Sequence, residues 1–414
     1  MTLEGMTNSV ATFSVMIIGG GIGGLALAHG LRRAGIRADV YERTHERTDW
    51  LQGYRIHVSP AGARALHDCL PPPNWQEFLR AAAPGGGFGF LTDQATDLLA
   101  FADTEINAPG AAEPDRHYGI GRIPLRAALL TGLDDALHLG QAFTRYELAG
   151  DEVIAHFADG ATATADVLIG ADGANSLVRA QLLPQAHRID TGVVTVAGRV
   201  PDISGLPAEL RTRANIVIPR SRGSLFTAVE STEAIWGYSD AATRYPAGVT
   251  TYDGATLRRL VRSRIASWSP AFHDLIEKSD PATINAFHVK SATPVPPWPT
   301  TRVTLLGDAI HNMTPMAGIG ANTALRDAAL LTHRLTTLTG EPATAADPAA
   351  LISAIHDYEA EMLDYGFTAV RRSLRNARQS ATSSPLARAA FRTTLRLTAA
   401  LPPARHAMAR SLGR

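Results

Sequence analysis

Three short segments, far apart in the chain, share a pattern that narrows the choice of fold. Residues 19–24, 170–173 and 307–309 each read as an apolar strand that runs into a glycine-containing turn and then a helix. The third continues as a proline- and glycine-rich stretch over 315–322. Such turns lie at the carboxyl ends of parallel strands, the edge at which open α/β sheets bind ligands. Three of them in one chain predict a large α/β body in which several strands meet one extended ligand.

The first segment lies in a βαβ unit of about 30 residues, the context in which a glycine pattern indicates dinucleotide binding. Residues 13–18 and 38–42 read as its two strands, with an apolar helical stripe between them. Gly21 lets the backbone approach a pyrophosphate, which would rest on the helix N-terminus, and Gly24 lets helix and strand pack closely. The turn residues predicted to contact the dinucleotide are Gly19, Gly21, Ile22, Gly23 and Gly24.

Glu42 closes the second strand, where a carboxylate accepts hydrogen bonds from an adenosine ribose. This motif does not distinguish NAD from FAD, and a glycine-rich turn alone also occurs as a tight connection without a ligand. The flanking strands and the acidic residue favour a bound dinucleotide.

The second and third segments favour FAD as that dinucleotide. Asp308 emerges at the carboxyl end of an apolar strand, where its carboxylate can bind the ribityl hydroxyls. The helix N-terminus after residue 315 can stabilise negative charge at the pyrimidine edge of a reduced flavin, and its glycines let the backbone lie against the ring. Helix capping alone also explains Asp and Asn at such turns. The residues of this stretch predicted to border the flavin are Pro315, Gly318, Ile319, Gly320, Ala321 and Asn322.

Composition restricts the class of protein. The 414 residues are 45% hydrophobic with zero formal net charge, which suits a globular protein and gives no indication of nucleic acid as a partner. Cys69 is the only cysteine, so the paired thiols of disulfide reductases are excluded and a reducing cytoplasm is expected. No segment approaches the roughly 20 apolar residues that span a bilayer. The expected partner is a small organic molecule, with the chain as a monomer or homodimer.

The pattern changes in the second half of the chain. Over residues 188–293, short β-branched runs separated by Gly, Pro and Ser predict a mostly antiparallel sheet, interrupted by one helix near 255–278. Residues 88–91 and 98–101 read as a hairpin at the edge of this sheet, and the prolines at 71–73 as a loop.

Other segments connect these parts. Residues 1–12 read as a polar, disordered lead, and residues 51–66 as a strand that turns into a helix after Pro60. Residues 153–157 and 162–169 read as a hairpin leading back to the main sheet. The predicted fold class is α/β, and its parts are a Rossmann-like FAD-binding domain from residues 10–75, 105–187 and 294–340, a β-rich antiparallel substrate domain from 76–104 and 188–293, and C-terminal helices from 341–414.

Residues 85–90, Gly-Gly-Gly-Phe-Gly-Phe, superficially repeat the first fingerprint. They follow no predicted strand and lead into a strand instead of a helix, so they indicate only a flexible entry to the substrate sheet. No second nucleotide-binding βαβ unit is therefore expected.

Arg55, His57, His311 and the C-terminal segment are further candidates for a chemical role. Arg55 and His57 alternate along one strand and share a face, where they meet FAD or substrate or else form ordinary hydrogen bonds. His311 has no neighbouring ligand set, so no metal site is predicted. From Tyr365 onward the chain has ten Arg and no Asp or Glu, which fits a solvated helical face better than a membrane or acidic partner.

Together these motifs resemble those of the class A flavoprotein monooxygenases of the para-hydroxybenzoate hydroxylase fold, whose short members include tetracycline-inactivating and natural-product hydroxylases. The resemblance covers nearly the whole chain. Its carriers are residues 19–24 with Glu42 and Arg43, Arg122 in Arg-Ile-Pro-Leu-Arg, Asp172 in Gly-Ala-Asp-Gly-Ala-Asn-Ser, and Asp308 with Pro315 and residues 318–322.

The resemblance implies a role for each matching residue. Glu42 would bind the adenosine ribose, with Arg43 near the adenine, and Arg122 would lie along the phosphate and ribityl region. Asp172 would support both FAD and a transiently bound NAD(P)H, and Asp308 would hold the ribityl chain. Arg55 completes the residues predicted to contact the cofactor.

The family more often carries Gln where Ile319 stands. Because the contacts of residues 318–322 are mainly through the backbone, FAD binding is expected to survive this change while flavin mobility differs.

The implied activity is oxygenation that depends on NAD(P)H and O2. Reduced FAD would add O2 at its C4a carbon, and the hydroperoxide would hydroxylate or epoxidise an aromatic or polyketide-like molecule held between the antiparallel sheet and the ring. No catalytic base is predicted. The alternatives are another flavoenzyme, such as a halogenase, dehydrogenase or reductase, or a non-redox chain that retains FAD. Trp236 and Trp298 are isolated, so the Trp-x-Trp-x-Ile-Pro segment of halogenases is absent.

Overall fold

A computed structural model describes residues 13–45, 55–84, 86–107, 109–230, 232–339, 347–382 and 384–411. The predicted lead at residues 1–12 and the beginning of the predicted strand at 51–54 lie outside these described residues.

The strands are β1 (Ser14–Ile18), β2 (Arg37–Glu42), β3 (Arg55–Val58), β4 (Ala83–Pro84), β5 (Gly87–Leu91), β6 (Asp97–Phe101), β7 (Tyr118–Gly121), β8 (Leu137–Leu139), β9 (Phe143–Ala149), β10 (Glu152–Phe157), β11 (Thr162–Ala165), β12 (Val167–Gly170), β13 (Arg188–Val200), β14 (Arg213–Val217), β15 (Ser224–Glu230), β16 (Glu233–Ala241), β17 (Asn285–Ala292) and β18 (Val303–Leu305). The helices are α1 (Ile22–Arg33), α2 (Pro60–Cys69), α3 (Pro72–Ala81), α4 (Asp103–Ile106), α5 (Arg122–Leu130), α6 (Leu177–Leu182), α7 (Ala208–Thr212), α8 (Gly254–Arg264), α9 (Pro270–Glu277), α10 (Asp308–His311), α11 (Gly320–Thr336), α12 (Pro348–Ser380), α13 (Pro385–Ala400) and α14 (Pro402–Ser411).

The larger lobe is built on a parallel sheet with the strand order β18-β12-β1-β2-β8. Its central strands are apolar and almost fully buried, as expected for a parallel sheet that is covered on both faces. Strands β18, β12 and β1 are neighbours, and each precedes one of the three glycine-containing turns. Parallel pairing therefore brings the three turns to one edge of one sheet.

A short sheet and a hairpin flank this parallel sheet. Strands β3, β7 and β4 form the short sheet, and β9, β10 and β11 form an antiparallel one. The single strand predicted over residues 162–169 is wrong, because β11 ends at Ala165 and β12 begins at Val167 in a different sheet. Asp166 marks the break, where its carboxylate accepts hydrogen bonds from the backbone and hydroxyl of Ser14 at 2.8 and 2.9 Å.

The smaller lobe contains the predicted β-rich sheet, in the order β17-β13-β16-β15-β14-β5-β6. All its neighbouring strands are antiparallel except the β14–β5 pair. One face packs against α8 and α9 through a core that includes Trp236, Tyr238 and Phe272. The single helix predicted near 255–278 is instead two helices, because Ser269 caps a new helix whose first residue is Pro270.

The prolines at 71–73 open a helix and do not form the predicted loop. Pro72 is the first residue of α3, where a missing N–H and a fixed φ are tolerated. Trp75 and Phe78 of this helix are buried in the core of the larger lobe. The boundary placed at residue 75 therefore falls inside α3, and our proposed partition moves it beyond that helix.

The C-terminal helices divide between the two lobes. Helix α12 buries its predicted stripe, including Leu351, Ile355 and Tyr358, against the larger lobe. Helices α13 and α14 instead pack on the substrate sheet beside β5 and β6, through residues such as Leu395 and Ala409.

The arginine-rich end is only partly the solvated face that its composition predicts. Arg392 is buried and donates to the Ile218 carbonyl at 2.7 Å, and Arg405 pairs with Glu105 at 2.7 Å. These contacts tie the end of the chain to the substrate lobe. Among the described residues, no helix combines the length and apolar character needed to cross a bilayer.

Candidate active site

The first turn joins β1 to α1 with close packing. Gly19 has a φ of +115°, a conformation that side chains disfavour, and an added Cβ there would overlap the Ala171 carbonyl of the second turn. A Cβ at Gly24 would overlap the Gly19 carbonyl, and one at Gly23 would overlap the Leu306 side chain. The glycines at these positions therefore let the three turns approach one another.

Open space lies in front of this turn. A Cβ built on Gly21 meets no heavy atom within 4 Å, and Gly21 is the N-cap of α1 without any capping side chain. Gly173 in the second turn, with a φ of +78°, is equally open. Unsatisfied N–H groups at a helix N-terminus beside open space form a site that suits an anion such as a pyrophosphate.

Glu42 lies buried behind the first turn. Its carboxylate accepts hydrogen bonds from the backbone N–H groups of Gly20 at 2.7 Å and Thr44 at 3.0 Å. An ionised carboxylate offers about four acceptor positions, so two are left for ligand hydroxyls. Arg43 beside it is exposed. The sequence prediction missed Arg126, which is buried and donates to the Gly20 carbonyl at 3.1 Å, although it ends the Arg-Ile-Pro-Leu-Arg motif.

Asp172 in the second turn has an unmet hydrogen-bonding atom. Its Oδ2 accepts from the backbone of Leu177 at 2.7 Å and Val178 at 3.3 Å, at the start of α6. Its Oδ1 is buried without a hydrogen-bond partner among the described residues. Burial raises the pKa of this carboxyl. A buried acceptor without a donor carries a free-energy cost that a ligand hydroxyl or N–H would relieve.

Asp308 follows β18 and the third turn, whose Gly307 has a φ of +63°. The Asp308 side chain is exposed to water beyond the end of the strand. Partial burial by the surrounding protein raises the pKa of Asp308, while His311, Asn312 and Arg122 oppose the increase. Arg122, the first residue of α5, thus lies within electrostatic reach of Asp308.

A buried polar network supports the third turn and was not predicted from the sequence. Asp327 is fully buried in α11 and accepts hydrogen bonds from the Gly307 N–H at 2.7 Å, from His311 Nε2 at 2.6 Å and from the Tyr365 hydroxyl at 2.5 Å. Burial lowers the pKa of His311, but the Asp327 carboxylate outweighs it, so the net direction is upward. The sequence excludes His311 as a metal ligand but does not predict its partner Asp327, which lies on a helix sixteen residues further along the chain.

Residues 315–322 present their backbone, and not every side chain, to the cleft. Pro315 and Gly318 are exposed, and Gly318 has a φ of +64° with no heavy atom within 4 Å of an added Cβ. Helix α11 begins at Gly320 without a capping side chain. Ile319 instead packs in the core, and the buried Asn322 carboxamide bonds the Ser59 N–H and the His57 carbonyl, both at 2.8 Å.

Arg55 and His57 lie on the face of β3 that is turned toward the smaller lobe. Arg55 crosses Gly119 of β7, and His57 Nε2 lies 3.0 Å from His117 Nδ1. The pKa of His57 is lowered to about 3. Burial is the largest cause, and the neighbouring His117 and Arg55 lower it further. The structure therefore separates this pair of residues from the first turn and places them where the lobes meet.

The assembled features fit an FAD molecule. One sheet edge combines an uncapped helix N-terminus beside open space, the buried carboxylate of Glu42 behind it, an unmet acceptor on Asp172 and a water-exposed carboxylate on Asp308. The helix N-terminus suits a pyrophosphate, and the three carboxylates offer acceptors for ribose and ribityl hydroxyls. Among the described residues, no cluster of three or more potential metal ligands occurs.

Comparison with known families agrees with this fit. A model described as an FAD binding domain matches residues 140–373, and one described as an NAD(P)-binding Rossmann-like domain matches residues 17–82. The fold and site thus define a flavoprotein with a Rossmann-like dinucleotide domain.

Individual relatives narrow the class further. The chain is 31% identical over 371 residues to the dual O-methyltransferase/FAD-dependent monooxygenase elcB of Phaeosphaeria nodorum, covering 77% of this chain and 39% of elcB. It is 31% identical over 329 residues to the FAD-dependent urate hydroxylase of Mycolicibacterium vanbaalenii, covering 77% of this chain and 78% of that relative. A crystal structure from Photorhabdus luminescens, assigned as an FAD-containing monooxygenase, is 37% identical with a TM-score of 0.79, covering 89% of this chain and 98% of that one.

The chain belongs to the FAD-dependent monooxygenase family, and FAD is its cofactor. The predicted resemblance and the predicted fold class are thereby confirmed. The chain spans less than half the length of elcB, whose name combines two activities.

Proposed function

We propose that this chain is a monooxygenase that uses NAD(P)H and O2 to hydroxylate or epoxidise an aromatic or polyketide-like small molecule. The observation that carries the proposal is the meeting of three glycine-containing turns on the neighbouring strands β18, β12 and β1, with the exposed Asp308 carboxylate in the third turn. Bound FAD supplies the chemistry of hydride acceptance and oxygen activation, and the protein supplies binding, orientation and exclusion of water.

In this proposal the predicted residues hold the cofactor along its length. The N-terminus of α1 binds the pyrophosphate, Glu42 binds the adenosine ribose with Arg43 near the adenine, and Asp172, Arg122 and Asp308 serve the ribityl region. The backbone of residues 318–322 borders the pyrimidine edge. The full proposed set is Gly19, Gly21, Ile22, Gly23, Gly24, Glu42, Arg43, Arg55, Arg122, Asp172, Asp308, Pro315, Gly318, Ile319, Gly320, Ala321 and Asn322.

The proposed substrate cleft lies between the lobes, on the face of the substrate sheet opposite α8 and α9. Phe226, Ile216 and Phe90 stand in one cross-strand row, so their side chains share a face, and the C-terminal helices cover the Phe90 end of that row. Phe226 is 39% exposed and offers an uncovered apolar surface on this face. Apolar, aromatic-lined clefts with a few polar groups suit flat organic ligands.

The relatives support an aromatic substrate without identifying it. One relative is named a urate hydroxylase, and urate is a flat heterocyclic molecule. A flat ring of this kind would pack well against the Phe226 side chain. A cytoplasmic location and a monomeric or homodimeric state are further predictions of this proposal.

The test is an assay of the purified chain, which we expect to be yellow with one FAD per polypeptide. Candidate aromatics should accelerate NAD(P)H consumption in the presence of O2, and isotopically labelled O2 should place one labelled atom in the product. NAD(P)H oxidation with unlabelled product would indicate a dehydrogenase or reductase. FAD retention without NAD(P)H oxidation for any compound would indicate the non-redox alternative.

A second prediction concerns how NAD(P)H reaches the flavin. Because a single dinucleotide fold holds FAD, reduction requires a transient complex and movement of the ring or its loop. Replacing Gly318 by Val puts a branched residue at a φ of +64°, a strain of about 1 to 3 kcal/mol. We expect flavin reduction to slow by about fivefold or more while FAD affinity changes less.

Stopped-flow measurement of flavin reduction, with and without an accelerating substrate, tests this prediction. Gly318→Asn is the matched control, because Asn tolerates positive φ, and it should reduce at close to the wild-type rate. Equal rates for the Val and wild-type proteins at full FAD occupancy would remove Gly318 from the gating step.

A further inference from the structure

The cleft between the lobes has a polar end, formed by Arg55, His57, His117 and Glu230. Glu230 is the last residue of β15 and lies on the same face as Phe226, four residues earlier. Two glycines on one face of β7 admit the charged side chains. A Cβ at Gly119 would overlap the Arg55 guanidinium, and a Cβ at Gly121 would overlap the Glu230 carboxylate.

Glu230 thus reaches across from the substrate sheet to the larger lobe. The Glu230 carboxylate approaches Gly121, the last residue of β7 in the larger lobe. The next residue, Arg122, lies within electrostatic reach of Asp308. His57 is attached to the proposed flavin-bordering stretch, because its carbonyl accepts from Asn322 at 2.8 Å. The polar end therefore adjoins the proposed flavin site, and Phe226 lies on the same face of β15 as Glu230.

The charges at this end add up to an acidic environment. Arg55 interacts electrostatically with Glu230 and Asp103, and Arg199 donates to Glu233 at 2.6 Å on the rim. Among the groups that interact electrostatically with Glu230 and Arg55, these two included, three are carboxylates and two are guanidinium groups. His57 adds no positive charge near neutral pH, since burial and its neighbours lower its pKa to about 3, and His117 is hydrogen-bonded to it.

We infer that Glu230 determines substrate specificity. The polar end binds an uncharged ring system whose own O–H or N–H group donates a hydrogen bond to it, and it rejects aryl carboxylates. This inference rests on the proposed function and names its substrate class. A ligand hydroxyl can donate to the Glu230 carboxylate or to an imidazole nitrogen. A ligand carboxylate would lie beside the Glu230 carboxylate, and like charges in a partly desolvated site repel each other strongly. Arg55 and Arg199 would not offset this repulsion, because both already interact with acidic side chains.

The experiment uses the FAD-loaded protein and three probes: a naphthol, the hydroxynaphthoic acid that keeps its hydroxyl at the same position, and the methyl ether of the naphthol. Binding is measured by equilibrium dialysis at about pH 8, where histidines of ordinary pKa are neutral. We expect the naphthol to bind about tenfold more tightly than the acid, as one like-charge contact implies. The methyl ether, which cannot donate, should bind more weakly than the naphthol.

Variants separate charge from size. Glu230→Gln should bring the naphthol and acid affinities to within about threefold of each other, because the repelling charge is gone. Glu230→Asp should keep the discrimination. Asp253→Asn is the matched control, since it removes a carboxylate from the N-terminus of α8, on the opposite face of the substrate sheet, and it should also keep the discrimination.

The outcomes distinguish this inference from the proposed function. Tighter binding of the acid by wild-type protein, failure to bind the naphthol, or unchanged discrimination in a folded, yellow Glu230→Gln protein would each overturn the role of Glu230. None of these results depends on turnover. Loss of NAD(P)H- and O2-dependent oxygenation with all aromatics would instead count against the proposed function.

Discussion

Replacing Asp308 by Ala should weaken FAD binding about a hundredfold, because hydrogen bonds from ligand hydroxyls to an ionised acceptor contribute about 1.5 to 3 kcal/mol each. The carboxylate is exposed to water beyond the end of β18, with Arg122 within electrostatic reach. The variant should fold, since the lost side chain is exposed to water, and it should purify largely colourless.

The measurement is titration of apoprotein with FAD, followed by flavin fluorescence, alongside thermal unfolding of the apoprotein. Asp308→Asn keeps the shape and should give an intermediate affinity. Asp253→Ala is a matched control, because that Asp caps α8 in the distant substrate lobe and its loss should leave FAD affinity unchanged. An Asp308→Ala protein with wild-type affinity would refute the assignment of the third turn to the ribityl chain.

Replacing Asp327 by Ala should lower the free energy of unfolding by about 3 to 5 kcal/mol, the range for breaking a buried ion pair by removal of one partner. The change leaves the His311 imidazole, the Tyr365 hydroxyl and the Gly307 N–H without their common acceptor in a fully buried site. Because this carboxylate also holds the turn that presents Asp308, FAD affinity should fall together with stability.

Denaturant unfolding of the apoprotein measures the first effect and FAD titration the second. Tyr358→Phe is the matched control, since it removes a buried hydroxyl that donates to the Leu305 carbonyl at 2.8 Å, from the same helix as Tyr365. That loss should reduce stability by only about 1 kcal/mol. Equal stability losses in the Tyr358→Phe and Asp327→Ala proteins would show that the network is no more than an ordinary set of hydrogen bonds.

The parallel core of this protein could be predicted because its signals are local. An apolar strand, a glycine at a positive φ and a helix N-terminus lie within about ten residues of each other, and each obeys its own steric rule. Gly19 and Gly307 do adopt positive φ. The local rules failed at Pro72, because proline is common both in loops and at the first position of a helix. The proline run there was predicted as a loop, but it begins α3.

Contacts between distant residues could not be predicted in this way. Nothing near Arg392 indicates that it would be buried against Ile218, and nothing near Ile319 indicates that its side chain would turn into the core. Burial of a polar or apolar side chain depends on which element packs over it, and that element is encoded elsewhere in the chain.

The sequence by itself thus determined which segments form the strands that precede the turns, the dinucleotide motif, and the residue types that FAD requires. Only the tertiary structure decided which side chains share one site. Asp327 was joined to Gly307 and Tyr365, and Glu230 was set opposite Gly121 and Arg55, by the packing of helices and lobes. The physical reason is that hydrogen bonds and charge interactions act over a few ångströms in space, whereas the partners lie far apart along the chain, 175 residues in the case of Arg55 and Glu230.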